Sequence, residues 1–156
     1  MDEKVKRLID LSIQYRGNIL HHCILLEDTI TDYLAMYFVD TLERYKDIRE
    51  VVLDRLTFDN KIATLDELIK RNYPDSYKNK YPKLFSELRY IKDVRNSVAH
   101  WPVYSHYKEG AKIPKEFSLI NFRNGVGKKV FSKGEFELFQ KRTLKCIDVI
   151  KKIGKE

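Results

Sequence analysis

Six consecutive residues, Arg95-Asn96-Ser97-Val98-Ala99-His100, gather a permanent cation, a primary amide and an imidazole within about one and a half turns of a helix. A guanidinium keeps its proton and offers a fork of N–H donors to an anion, and an imidazole gives or takes a proton near neutrality. Together these groups suit holding a phosphate and moving a proton beside it. At about 100° per residue, Asn96 and His100 stack one above the other, so the amide can orient the ring, while Arg95 points about 140° away. One helix therefore does not bring both groups onto one phosphate. Two copies facing each other across a two-fold axis do, because such a contact presents the same patch of both chains to a shared cleft.

The helix that must carry this segment is legible in the pattern. Leu84, Leu88, Ile91 and Val98 recur on one stripe, and Arg95 falls on the same stripe, where burial of a guanidinium demands compensation. Either an acidic residue of the long N-terminal helix supplies it (Glu27, Asp28 or Asp32), or the side chain snorkels to the surface on its aliphatic stem. Pro82 suits the first turn of this helix. Trp101-Pro102 ends it near His100, since the residue before proline is steered away from the α region.

Upstream, helical periodicity runs through 3–16 and 19–45, clearest in Ile19, Cys23, Leu26, Ile30, Tyr33 and Tyr37. Gly17-Asn18 is a weak break, leaving either one long helix or a pair. A short amphipathic turn is expected at 47–56 and a helix from an Asp59 cap carrying Ile62, Leu65 and Ile69. The stretch 72–82, with two prolines and three tyrosines, reads as a loop. Downstream, Phe117, Leu119 and Phe122 precede Asn124-Gly125, and Val130-Phe131 follow it, which predicts a small β-hairpin over 117–131. Ser132-x-x-Glu135 has capping-box spacing and opens a last helix with Phe136, Phe139, Cys146, Ile150 and Ile153 on one stripe.

The expected fold is a single all-α domain over 1–156, a bundle of four to five helices with the hairpin inserted. Apolar residues at 43% and charged residues at 34%, with 6 Gly and 4 Pro, exclude collagen-like and disordered chains. No apolar run is long enough to span a bilayer, and the N-terminus lacks the apolar core of a secretion signal, so the expected compartment is the cytoplasm and no membrane contact is expected. Cys23 and Cys146 read as buried free thiols, and no histidine falls at zinc-site spacing from them, so neither metal nor cofactor is expected. The absence of a glycine-rich phosphate loop and of a nucleophile elbow argues against common metabolic enzymes. No short helix pair with a tight glycine turn suggests a DNA-binding helix-turn-helix. The net charge of +7 is segregated: residues 1–75 hold 11 Lys+Arg against 15 Asp+Glu, and residues 76–156 hold 19 against 8, giving −4 and +11. Such segregation fits either a polyanionic partner or a solvated lysine-rich surface.

The R-N-S-V-A-H helix end, the long N-terminal helical pair, the Phe58-x-x-Lys61-Ile62 segment opening a helix and the terminal helix together resemble the HEPN superfamily, whose signature is Arg, four to six residues, then His. The resemblance extends over 1–153, with the hairpin as an insertion. It implies a dimeric, metal-independent endoribonuclease in toxin–antitoxin or phage defence, with RNA as substrate and an antitoxin or other regulatory protein as partner. In that chemistry the 2′-hydroxyl is the nucleophile, an imidazole removes its proton or protonates the leaving 5′-oxygen, and a guanidinium stabilises the phosphate's growing charge. His100 and Arg95 match those catalytic roles, with Asn96 orienting. Glu27 and Asp28 are expected behind them, and Lys61 and Tyr104 against RNA, Lys61 reaching phosphate and Tyr104 stacking on a base. Lys128-Lys129 and Lys151-Lys152 would add non-specific affinity. The tyrosine that some HEPN toxins carry two residues after the histidine is replaced here by Pro102. Some members of the superfamily only bind, so a non-catalytic module for RNA or a protein partner is the alternative.

Overall fold

The computed structural model describes residues 3–104, 116–121 and 127–154. The N-terminal pattern folds as one unbroken helix, α1 (Glu3–Phe38), about 54 Å long at 1.5 Å per residue. Gly17 does not interrupt it, because the cost of about 1 kcal/mol is outweighed by the burial of Leu8, Leu11, Ile19, Cys23, Leu26, Ile30 and Leu34 on either side. Of the two alternatives left open at Gly17-Asn18, one long helix or a pair, the chain takes the first. Its core stripe also drifts: Leu34 and Ala35 are fully buried, while Tyr37 is exposed and Tyr33 half-buried, because an α-helix does not hold a stripe of fixed residue spacing over many turns.

A short helix α2 (Leu42–Asp47), capped by the Thr41 hydroxyl, leads into a π-turn (Ile48–Val52) and a 3₁₀ turn (Leu53–Arg55). Helix α3 (Phe58–Asn72) begins one residue before Asp59, because the Thr57 side chain accepts from the Asn60 N–H and is the true cap. The expected loop at 72–82 contains a further helix, α4 (Pro74–Asn79), in which Pro74 occupies the first position with its missing N–H harmless there. Helix α5 (Leu84–His100) starts two residues after Pro82 and ends at His100, with Trp101 extended at φ −85°, ψ 135°. Strands β1 (Phe117–Asn121) and β2 (Gly127–Phe131) pair antiparallel with Phe117 opposite Phe131. The expected Asn124-Gly125 turn and Phe122 lie outside the described residues. Helix α6 (Lys133–Lys152) opens at Ser132, whose hydroxyl accepts from the Glu135 N–H, as the capping-box spacing requires.

The result is an all-α bundle with one small two-stranded sheet. Helix α1 packs against α3, α5 and α6, and α5 packs against α3 and α6. The core is built from Leu26, Ile30, Leu65, Ile69, Leu88, Ile91 and Ile150, each under 1% exposed, and each stabilises by about 1.5–3 kcal/mol. Among the described residues no helix is long and apolar enough to cross a membrane.

The hairpin is more than an appendage. Phe117 is completely buried, stacking on Tyr15 of α1 at 5.9 Å and on Phe131 at 5.2 Å. The chain leaving α5 lies along β1 as well: the Ile120 N–H donates to the Pro102 carbonyl at 3.0 Å and the Tyr104 N–H to the Ser118 carbonyl at 2.8 Å. The sheet therefore holds the chain that leaves α5 at Pro102 and Tyr104, just after His100 in sequence.

Candidate functional site

Helix α5 ends in an imidazole, and side chains of α1 and β2 bond to its last turn and to the residue after it. His100 is exposed there. Arg95, expected on the core stripe, is half-buried instead, since the buried face of α5 turns towards Val94, Ser97 and Val98 in its last turns. Its Nη1 donates to Asn96 Oδ1 at 3.2 Å. The amide is thus taken by the guanidinium within one chain, and the structure brings Asn96 together with Arg95, not with His100.

Two further cations reach this end: Arg16, which the sequence did not single out, and Lys129, expected only to add non-specific affinity. Arg16 on α1 donates from Nη2 to the Trp101 carbonyl at 2.6 Å, supplying a cation to a carbonyl just past the negative end of the helix. Burial lowers the Arg16 pKa below its ordinary value. Lys129 on β2 donates to Ser97 Oγ at 2.8 Å and sits 5.2 Å from the centroid of the Trp101 ring, close enough for a cation–π attraction. Burial also lowers the Lys129 pKa, partly offset by Asp93. Lys128 lies 5.4 Å from the Tyr104 ring, and Tyr104 is half-buried. The sequence signal for Lys129 was only its place in a basic pair. For Arg16 it was one cation on the sequence-distant α1, facing the chain exit only because α1 and α5 run antiparallel.

The acidic residues of α1 serve different partners. Asp28 and Asp32 both bind Arg49 of the π-turn, and the Tyr45 hydroxyl also donates to Asp32. Glu27 accepts from Lys61 Nζ at 2.9 Å. Glu27 still acts on the neighbourhood of Arg95, for both charges influence the Cys23 thiol, which burial above all pushes up to about 12. Asp28, however, is drawn to Arg49, away from the helix-end site. Lys61, expected to reach phosphate, is only 5% exposed and ties α3 to α1. Its amine has left the surface because the first turn of α3 packs directly onto α1.

Chemically, the helix end offers one imidazole open to solvent and three cations, from α1, α5 and β2, each bonded to a neutral oxygen. None of these bonds is to a carboxylate, although Asp93 acts on Lys129 through space. Both cysteines are buried free thiols, and among the described residues no group of three His, Cys, Asp or Glu is placed to hold a metal ion. Comparison with protein-family models, with curated proteins and with solved structures finds no match to this chain.

Proposed function

We propose that this protein is a metal-independent endoribonuclease of the HEPN type, working as a homodimer with the ends of two α5 helices lining one cleft. The observation that carries the reading is the exposed His100 at a helix end furnished with Arg95, Arg16 and Lys129, none of which is bonded to a carboxylate among the described residues. The cations attract and hold the RNA backbone. His100 of one protomer removes the 2′-hydroxyl proton, and the oxygen attacks the adjacent phosphorus. The bond to the 5′-oxygen breaks as the second His100 supplies its proton, leaving a 2′,3′-cyclic phosphate and a 5′-hydroxyl. Arg95 stabilises the charge that grows on the non-bridging oxygens. DNA lacks the nucleophile and stays intact by this route. A toxin–antitoxin or phage-defence setting, with an antitoxin or other regulatory protein as partner, follows from the family resemblance.

One observation favours a second reading, a non-catalytic module that binds RNA or a protein. Asn96 Oδ1 accepts from Arg95, and among the described residues no bond joins the Asn96 amide to the imidazole that it was expected to orient.

Wild-type, Arg95→Ala and His100→Ala proteins incubated with single-stranded and structured RNA in EDTA separate the two. Cyclic-phosphate ends from wild type alone are expected. Cleavage that survives His100→Ala contradicts the catalytic assignment, and salt-dependent binding of RNA that stays intact supports the binding module.

A further inference from the structure

The bundle covers α1 on the sides that meet α3, α5 and α6 and leaves one long face in solvent. Positions 6, 10, 13, 17, 21, 24 and 28 lie along that face, and every one of them is exposed. Their steps of four and three residues hold a single line on a 3.6-residue helix for about 33 Å. Ile13 is 66% exposed and Ile24 63%, with Ile9 and Leu25 exposed at the edges. Large apolar side chains aligned on one solvent-facing helix mark a contact surface.

The centre of the line is Gly17, where a Cβ would meet no atom within 4 Å. Nothing in the chain itself therefore calls for a glycine, which costs a helix about 1 kcal/mol. What the missing side chain permits is the close approach of another backbone. The line is also symmetric about this residue. Ile13 and His21 stand four residues to either side of it, Asp10 and Ile24 seven, and Lys6 and Asp28 eleven. An antiparallel second α1 centred on the same glycine sets Lys6 against Asp28 at both ends, and Asp10 against Ile24 with His21 next to it, nearer the axis. A parallel pairing would instead set Lys6 on Lys6 and Asp28 on Asp28, so the charges choose the orientation. Asp28 meets Arg49 on one side yet keeps 51% of its side chain exposed.

We propose that a second copy of this chain packs antiparallel along this face of α1, with Gly17 of both copies at the two-fold axis and a Lys6–Asp28 ion pair at each end. A strip one helix wide is smaller than a standard interface of about 800 Å² per partner, so the dimer is weak and concentration-dependent. The contact is argued from α1 alone and stands without the ribonuclease reading. One consequence does rest on that reading: Arg16, about 100° round α1 from Gly17, holds the Trp101 carbonyl, so the two-fold brings both α5 exits out on the same side of the α1 pair.

The test is sedimentation velocity of the full chain from micromolar to millimolar concentration, with thermal melting of each variant. Gly17→Glu replaces a poor helix former by a better one in open space, so it stays folded while placing two like charges at the axis. Lys6→Glu and Asp28→Lys each set like charges against each other at both ends, and Asp32 still holds Arg49 in the second. Wild type is expected to dimerise, and each of the three variants to do so about tenfold or more weakly. An equal mixture of Lys6→Glu and Asp28→Lys should recover the wild-type association, because in the mixed pair every changed charge faces an opposite one. A wild type that stays monomeric at millimolar concentration, a dimer undiminished in Gly17→Glu, or a mixture no better than its components overturns the proposal. The readout is mass, so a protein that dimerises this way and leaves RNA intact contradicts the ribonuclease reading alone.

Discussion

Two regions of this molecule treat their positive charges in opposite ways. On the face shared by α1, the π-turn and α3, each cation meets carboxylates: Arg49 faces Asp28 and Asp32, and Lys61 faces Glu27. At the exit of α5, Arg16 donates to a backbone carbonyl, Arg95 to an amide oxygen and Lys129 to a hydroxyl. The first arrangement cancels charge and joins elements. The second bonds its cations to uncharged oxygens at the cost of some desolvation, leaving the buried Arg16 Nε without a partner and Lys129 only partly offset by Asp93. Cations of the first kind hold the fold, and cations of the second kind are available to an anion.

The sharpest way to break this comparison is on the compensated side. Glu27→Gln removes the partner of the buried Lys61 ammonium and should destabilise by about 2–3 kcal/mol in urea unfolding, with much of that recovered in Glu27→Gln/Lys61→Met. A double variant no more stable than the single would show that the pair does not bridge α1 and α3 as described.

Alkaline unfolding probes the same neighbourhood. Burial raises the Cys23 thiol to about 12 and Cys146 to about 11 from an ordinary value near 9. The unfolded chain therefore ionises first, so the stability these thiols contribute is complete below pH 9 and falls as pH rises through 11 to 12. Cys23→Ala should flatten that decline, and iodoacetamide at pH 8 should leave both thiols of the folded protein unmodified. Rapid modification would contradict the burial.

Arg49→Gln comes next, with an expected loss of about 1 kcal/mol, since the site is partly exposed. On the uncompensated side Lys129→Met should cost nothing or stabilise slightly, within about 0.5 kcal/mol. Its folded pKa lies below the ordinary lysine value, so the charge opposes folding at neutral pH, and that penalty fades as pH rises towards the lysine range. A loss of stability as large as that of Glu27→Gln would place Lys129 among the structural cations.

Much of this was legible in the chain because local signals and packing agreed. The stop at His100 followed from Trp101-Pro102, the opening of α6 from Ser132-x-x-Glu135, and the stripe of α5 from Leu84, Leu88, Ile91 and Val98. The continuity of α1 was not legible, since a glycine's small cost is decided by what packs on either side of it. Helix α4 was hidden because prolines and tyrosines mark loops and one-turn helices alike. At the site, Arg95 and His100 stood out through spacing along one helix. Arg16 and Lys129 did not, because they come from elements 85 and 32 residues away in sequence, and no periodicity connects them. The burial of Lys61 was likewise a property of the contact between α1 and α3, not of its own segment.

The most direct test of the central distinction is the salt dependence of RNA binding, measured with an uncleavable 2′-O-methyl strand. Wild type, Arg95→Gln/Lys129→Gln and Arg49→Gln are compared. Each cation facing a single strand contributes about 0.7 to the slope of log affinity against log salt, so the double variant should lose about 1.4 while Arg49→Gln keeps the wild-type slope. An equal loss in Arg49→Gln, or an unchanged slope in the double variant, would contradict the assignment of the α5 exit as the RNA-facing end.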